Sequence, residues 1–195
     1  MKWLCFLICP YILFISCSSP KYTHPHVIIQ TEAGDIEAEI YTDKAPKTAA
    51  AFFRNVDSDW YKRSSFYRIL NDDNQPSNAA KSELIQGGIW KTNYAKSISV
   101  PRIPHETTKQ TGVMHLNGTL SMARLEPGTA GTEFFICIGN QPGFDYGGAN
   151  NTDGQGYAAF GKVIKGMRVV NTIYNRPEND QSFTPPVIII NIKRL

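Results

Sequence analysis

The four histidines, His24, His26, His105 and His115, are the first residues to weigh for chemistry, and none has a partner at metal-ligand spacing. His105-Glu106-Thr107-Thr108 lacks the second histidine of a helical zinc motif. Asp145, Asp153 and Asn150-Asn151 offer oxygen ligands, but no glutamate closes the loop as an EF-hand requires. Serines and aspartates are plentiful, yet none sits in a nucleophile elbow, and no P-loop or dinucleotide fingerprint occurs. Metal sites and nucleophilic hydrolysis therefore have no local motif behind them. Arg68, between Tyr67 and Ile69 in an apolar run, reads by itself as a surface or ion-pair residue. Phe135, Met122 and Leu84 read by themselves as core.

Charge excludes another class. Twenty basic and 17 acidic residues in a chain of 195 leave +3, with no run of like charges. A nucleic-acid binder concentrates its basic residues on one face or stripe, so no polyanionic partner is expected. Fifteen glycines and 12 prolines suit a turn-rich fold of one domain and fall well short of a low-complexity chain.

The N-terminus reads as a targeting segment. Lys2 precedes the apolar run Trp3–Ile15, and small residues follow it, the three-part pattern of a secretory signal. The run is shorter than the roughly 20 residues a membrane-spanning helix needs. Phe14-Ile15-Ser16-Cys17 resembles a bacterial lipobox, with Phe14 where leucine is usual. Residues 1–16 are thus expected to be a signal peptide, Cys17 the lipidated residue, 17–25 a tether and 26–195 the folded domain. The placement implied is the cell envelope, with the membrane reached through the lipid anchor alone. Cys5 and Cys9 would leave with the signal, so Cys137 stands alone in the domain, unable to form an internal disulfide. Its setting, Phe134-Phe-Ile-Cys-Ile138, favours a small buried hydrophobe.

The elements that would position chemistry follow from periodicity. Val27–Thr31 and the strictly alternating Ile36–Ile40 flank a turn at Glu32–Asp35, which reads as a hairpin. Pro46 opens a helix ending near Asp57, with Thr42 or Asp43 as candidate cap. Ala45, Ala49, Phe52, Phe53 and Val56 form its core face. Ser65–Leu70, Leu84–Gly88, Leu120–Ala123, Phe134–Ile138, Phe160–Ile164 and Val187–Ile192 read as strands, and Met167–Tyr174 as a second helix. Asn71–Glu83 and Phe144–Gly156 are long loops, which in a compact domain tend to be functional. Short antiparallel strands with only two helices predict a mainly β fold, a small barrel.

Five ordered blocks then carry a resemblance: Phe66-Tyr-Arg-Ile69, Gln86-Gly-Gly88, Gly118-Thr-Leu-Ser-Met-Ala-Arg124, Thr132-Glu-Phe-Phe-Ile-Cys137 and Gly156-Tyr-Ala-Ala-Phe-Gly-Lys-Val163. Over residues 26–195 the chain resembles the cyclophilin family of peptidyl-prolyl isomerases, in its bacterial branch. The resemblance implies a closed eight-stranded antiparallel barrel capped by two helices, and a monomer. The activity implied is cis/trans rotation of X–Pro bonds in unfolded or extended segments of exported proteins, with neither metal nor cofactor. No bond is made or broken in that reaction. The barrier is amide resonance, and lowering it by about 8 kcal/mol gives roughly a million-fold acceleration. By the resemblance Arg68 is the donor that favours a twisted proline nitrogen, and Gln86 holds Arg68 and the peptide. Phe66, Leu84, Met122 and Phe135 belong to the substrate site, with Phe144 and Tyr157 at the rim of the proline pocket. Ala123 and Arg124 lie along the peptide backbone, and Glu133 stands where glutamine is frequent.

Three departures bear on affinity. Asn71–Lys81 is an insertion beside the pocket. Glu83 replaces a pocket-wall aromatic, so either the insertion substitutes for it or the pocket is open and polar. Gly143 replaces a tryptophan, which implies weak cyclosporin binding. The rival reading is a cyclophilin-fold chaperone or scaffold that binds peptide without turnover, which the first two departures favour.

Overall fold

The computed structural model describes residues 23–195. The expected signal segment and Cys17 lie outside the described residues, as does most of the tether. Packing reaches back to His24, whose ring meets Tyr41 edge-on at 5.1 Å and whose Nδ1 lies 3.4 Å from Asp43.

Alternation does what it predicts at the first hairpin. β1 (His26–Thr31) and β2 (Gly34–Ile40) pair antiparallel from Thr31↔Gly34 to His26↔Glu39, each burying every second residue of its alternating part. The remaining strands are β3 (Ser64–Leu70), β4 (Leu84–Gly88), β5 (Thr119–Met122), β6 (Phe134–Cys137), β7 (Ala158–Lys165), β8 (Glu178–Asn179) and β9 (Ser182–Arg194). Neighbours run β1-β2-β7-β5-β6-β4-β3-β9, and β9 pairs back onto β1, closing an eight-stranded antiparallel barrel. β8 is a two-residue extra strand hydrogen-bonded to the start of β9. Ile29, Ile36, Phe66, Ile85, Leu120, Phe134, Phe160 and Ile189 point inward and are essentially inaccessible. No helix of the described residues is long and apolar enough to cross a membrane.

The two expected helices are present: α1 (Pro46–Asp57) packs on β7 and β9, and Met167–Tyr174 packs on β2 and β4. Two short helices lie between them in the chain, α2 (Tyr94–Ser99) and α3 (Thr108–Thr111), so Met167–Tyr174 is α4. Their lengths fall below what hydrophobic periodicity resolves. On α1, Phe52 meets the rings of Tyr61, Phe134 and Phe160 at 4.9–5.8 Å. Truncating such a buried ring typically costs about 3–5 kcal/mol.

The start of α1 corrects one expectation. Neither Thr42 nor Asp43 caps it; the N-cap is Ala45, which has no side-chain acceptor. Glu106 does the work from across the fold. Its carboxylate accepts from Lys47 N at 3.2 Å, Thr48 N at 2.7 Å and Thr48 Oγ1 at 2.6 Å. A negative charge at a helix N-terminus is favoured by both the open N–H groups and the dipole.

Candidate active site

The outer face of β3, β4 and β6 carries a second, smaller apolar cluster of Leu70, Leu84, Phe135 and Cys137, completed by Phe144 from the loop before β7, with Ala123 and Tyr157 against it. Period-two alternation explains the division. On β6, Phe134 and Ile136 face the barrel while Phe135 and Cys137 face out; on β4, Ile85 faces in and Leu84 and Gln86 face out. The cluster floors part of a cleft of about 860 Å³. The rings of Phe135, Phe144 and Tyr157 stand 5.1–5.4 Å apart, tilted or edge-on. Beneath them His115 stacks on Phe135 at 6.0 Å, its Nδ1 2.7 Å from Asp145 and its Nε2 2.9 Å from Ser121 Oγ. These three groups have the order of a hydrolytic triad, but Ser121 is fully buried, so they support the aromatic floor instead.

Arg68 reaches the cleft because β3 is irregular. Phe66 pairs with Gly87 and Arg68 with the next residue, Gln86, so Tyr67 is an extra residue in the strand. A bulge of this kind re-aims side chains, and here both Tyr67 and Arg68 line the cleft while Phe66 and Ile69 stay inside. Arg68 Nη1 donates to Gln86 Oε1 at 3.1 Å, and Nε and Nη2 donate to Gln181 Oε1 at 3.3 and 2.8 Å. Gln86 Nε2 donates to Tyr67 Oη at 2.9 Å, which donates to Glu133 Oε2 at 2.7 Å.

Glu133 ends this relay in a largely buried position. Its Oε1 accepts from Ile89 N, Trp90 N and Thr132 Oγ1 at 2.9–3.0 Å. Burial pushes its pKa up, and the hydrogen bonds offset this in part. Burial, with the Glu133 charge next to it, pushes the Tyr67 phenol up as well. Gly88 makes room for the carboxylate: a Cβ there would lie 2.5 Å from both Glu133 oxygens, and its φ of +145° also suits glycine.

Leu84, Gln86, Ala123, Arg124, Glu133, Phe135, Phe144 and Tyr157 all line the cleft with Arg68. Two expected substrate-site residues do not. Phe66 and Met122 are fully buried in the barrel interior, because each sits on the inward side of its strand; Met122 pairs with inward-facing Phe134. Arg124 is present with its guanidinium already engaged, by both Asp153 oxygens, Gly156 O and Leu125 O, and it lies 5.3 Å over the Tyr157 ring. That bond holds Asp153 down to about 2. The Arg124 side chain thus fastens the Phe144–Gly156 loop.

The departures from the family pattern resolve in the same region. Glu83 turns away from the cleft and accepts from Tyr174 Oη on α4 at 2.6 Å. Gln75 and Ala80 of the insertion, with Ser82 just after it, supply cleft wall. Asn150 Nδ2 donates to Ala80 O at 3.2 Å and to Ser82 Oγ, joining the two long loops. The Asn150 side chain also covers Gly143, where a Cβ would fall 1.8 Å from its Oδ1. Leu70, Tyr67 and Gln181 line the cleft and were missed by sequence reasoning. Cys137 was legible as buried, and burial pushes its thiol up. Gln181 had no signal. Among the described residues no group of three His, Cys, Asp or Glu side chains is placed to hold a metal ion.

Known proteins agree with this geometry. The sequence profile described as cyclophilin type peptidyl-prolyl cis-trans isomerase/CLD matches residues 26–194. A peptidyl-prolyl cis-trans isomerase of Acinetobacter baylyi is 34% identical over 86% of this chain and 84% of its own length. Peptidyl-prolyl cis-trans isomerase A of Dickeya dadantii is 31% identical over 83% and 79%. A crystal structure of a Cryptosporidium parvum cyclophilin type isomerase, obtained in the presence of the dipeptide Ala-Pro, superposes with a TM-score of 0.66 at 25% identity, covering 86% of this chain and 97% of that one. Matched from the first strand of its barrel to the last, the chain belongs to the cyclophilin-type peptidyl-prolyl cis-trans isomerases.

Proposed function

We propose that this isomerase turns X–Pro bonds in extended segments of cell-envelope proteins, with Arg68 as the group that stabilises the twisted amide. The observation that carries the reading is the state of the Arg68 guanidinium. Three of its five N–H groups are held by Gln86 and Gln181, leaving two donors beside an apolar floor built for a ring. A proline seated on Phe135, between Phe144 and Tyr157, puts its amide within reach of those donors. Rotation removes nitrogen lone-pair density from resonance, and a fixed donor favours the pyramidal nitrogen that results. Donor and floor are preorganised by packing, so little reorganisation is required at the transition state. All of these residues come from one chain, so a monomer suffices.

Placement in the envelope rests on the n-, h- and c-region pattern of residues 1–16 and on Cys17. A palmitate label lost in Cys17→Ala supports it, and a label that persists overturns the lipid anchor.

The central test is X–Pro exchange in a short peptide, followed by NMR exchange spectroscopy. Arg68→Ala should cost on the order of 100-fold in kcat/KM, about 2.7 kcal/mol, while the peptide still binds. Full activity in Arg68→Ala would remove Arg68 from the reaction. Binding without acceleration in the wild type would make the protein a peptide-binding chaperone.

A further inference from the structure

Gln181 occupies a position its residue type disfavours. It is the second residue of the two-residue turn joining β8 to β9, where Asp180 and Gln181 have φ of +47° and +65°. Both central residues of such a turn are left-handed, and Gly, Asn and Asp are preferred there. A glutamine in that region carries backbone strain, and strain of this kind persists where the surroundings over-determine it, often at functional sites.

The surroundings of Gln181 do so. Its N–H donates to Glu178 Oε2 at 3.0 Å and its carbonyl accepts from Ile69 N at 2.9 Å, next to Arg68 in the chain. Its Oε1 takes two N–H groups of the Arg68 guanidinium. Its Nε2 donates to Asn74 O at 3.0 Å. That last bond decides which way the amide faces, because a carbonyl at Asn74 can receive only the NH₂ end. Asn74 is itself fixed by reciprocal bonds with Asn71: Asn71 N to Asn74 Oδ1 at 3.0 Å, and Asn74 N to Asn71 Oδ1 at 2.9 Å. The inserted loop therefore sets the Gln181 amide, and the amide sets the arginine from the side opposite Gln86.

We propose that Gln181 is a positioning residue for the isomerase reaction: it orients Arg68 and couples the 71–83 loop to the rate of X–Pro rotation. This rests on the reading of Arg68 as the donor. The strain supplies a test that a structural role could not imitate. Gln181→Gly and Gln181→Asn both suit the left-handed turn, so stability should hold or rise, yet neither can reach the guanidinium. In the full-length protein each should lower kcat about tenfold with KM within about twofold, since an N–H aimed at the twisted amide matters in the transition state. In an Arg68→Ala background, Gln181→Gly should change kcat/KM by less than about twofold, because nothing is left to orient. If Arg68→Ala is inactive while Gln181→Gly and Gln181→Asn keep full kcat, the positioning role is wrong and the arginine reading stands. A loss on Gln181→Gly that persists undiminished with Arg68→Ala, or that tracks a fall in urea midpoint, also overturns it. An active Arg68→Ala removes the premise itself.

Discussion

Tyr67→Phe removes one hydroxyl from the middle of the relay and should be felt at both ends. At the far end, the largely buried Glu133 carboxylate loses its Oε2 donor and keeps three donors on Oε1. A hydrogen bond to a charged group is worth about 1.5–3 kcal/mol, so a loss of about 2 kcal/mol is expected near neutral pH. For a chain of this size that lowers the melting temperature by roughly 4–8 °C. At the near end, Gln86 Nε2 loses the acceptor that fixes its amide, so Gln86 Oε1 no longer faces Arg68 all the time. One neutral hydrogen bond, about 1 kcal/mol, corresponds to roughly fivefold in rate. Urea unfolding and NMR exchange on Tyr67→Phe, Glu133→Gln and the double variant measure both. With Glu133 neutral, the hydroxyl should matter less, giving a coupling of about 1 kcal/mol between the two positions. Stability changes that add to within about 0.5 kcal/mol, or a Tyr67→Phe rate equal to wild type, would refute the relay.

Other outcomes follow from the same contacts. Because burial holds the Glu133 pKa above its unfolded value, the folded state binds that proton more readily. Relative to Glu133→Gln, the wild type should therefore gain stability as pH falls from above the folded value to below the unfolded one, which parallel urea titrations would show. Asp153 and Glu37, both held low by cationic partners, lose stability on acidification, but equally in the two proteins. Glu106→Ala strips α1 of its remote cap and leaves buried Thr48 unpaired, and should cost about 3 kcal/mol in urea unfolding; Thr48→Ala in the same chain should recover part of it. Gly143→Trp should destabilise, since Asn150 fills that space, and Asn150→Ala combined with Gly143→Trp should relieve the clash and strengthen cyclosporin binding by calorimetry. Chelation with EDTA should leave the exchange rate unchanged.

The strands and both principal helices were legible because alternation and helical spacing are local patterns, and so were Arg68, Gln86 and Phe135, which lie in dense ordered blocks, and Leu84, two residues ahead of one. Side of strand was harder. Phe66 and Met122 share blocks with site residues but fall on the inward face, and the bulge at Tyr67 that turns its neighbours outward leaves no mark in composition. Partners far apart in the chain were invisible: Gln181 meets Arg68 across 113 residues, and Glu106 caps Thr48 across 58. The sequence leaves open what Glu83 does in place of a wall aromatic, because its partner, Tyr174, lies on a helix that only the closed barrel brings near.

The closure of the barrel also sets a direction. In the ring of eight strands, β1 stands four places from β6 whichever way one counts, so the strand where the folded domain begins lies across the barrel from the one that carries Phe135. Leu195 N bonds His26 O, so the last residue leaves from that same side. Whatever is attached ahead of residue 23 is therefore joined at the back of the enzyme. The cleft opens on the far side of the barrel from both ends of the described residues, so a proline-containing segment can enter it without passing either of them.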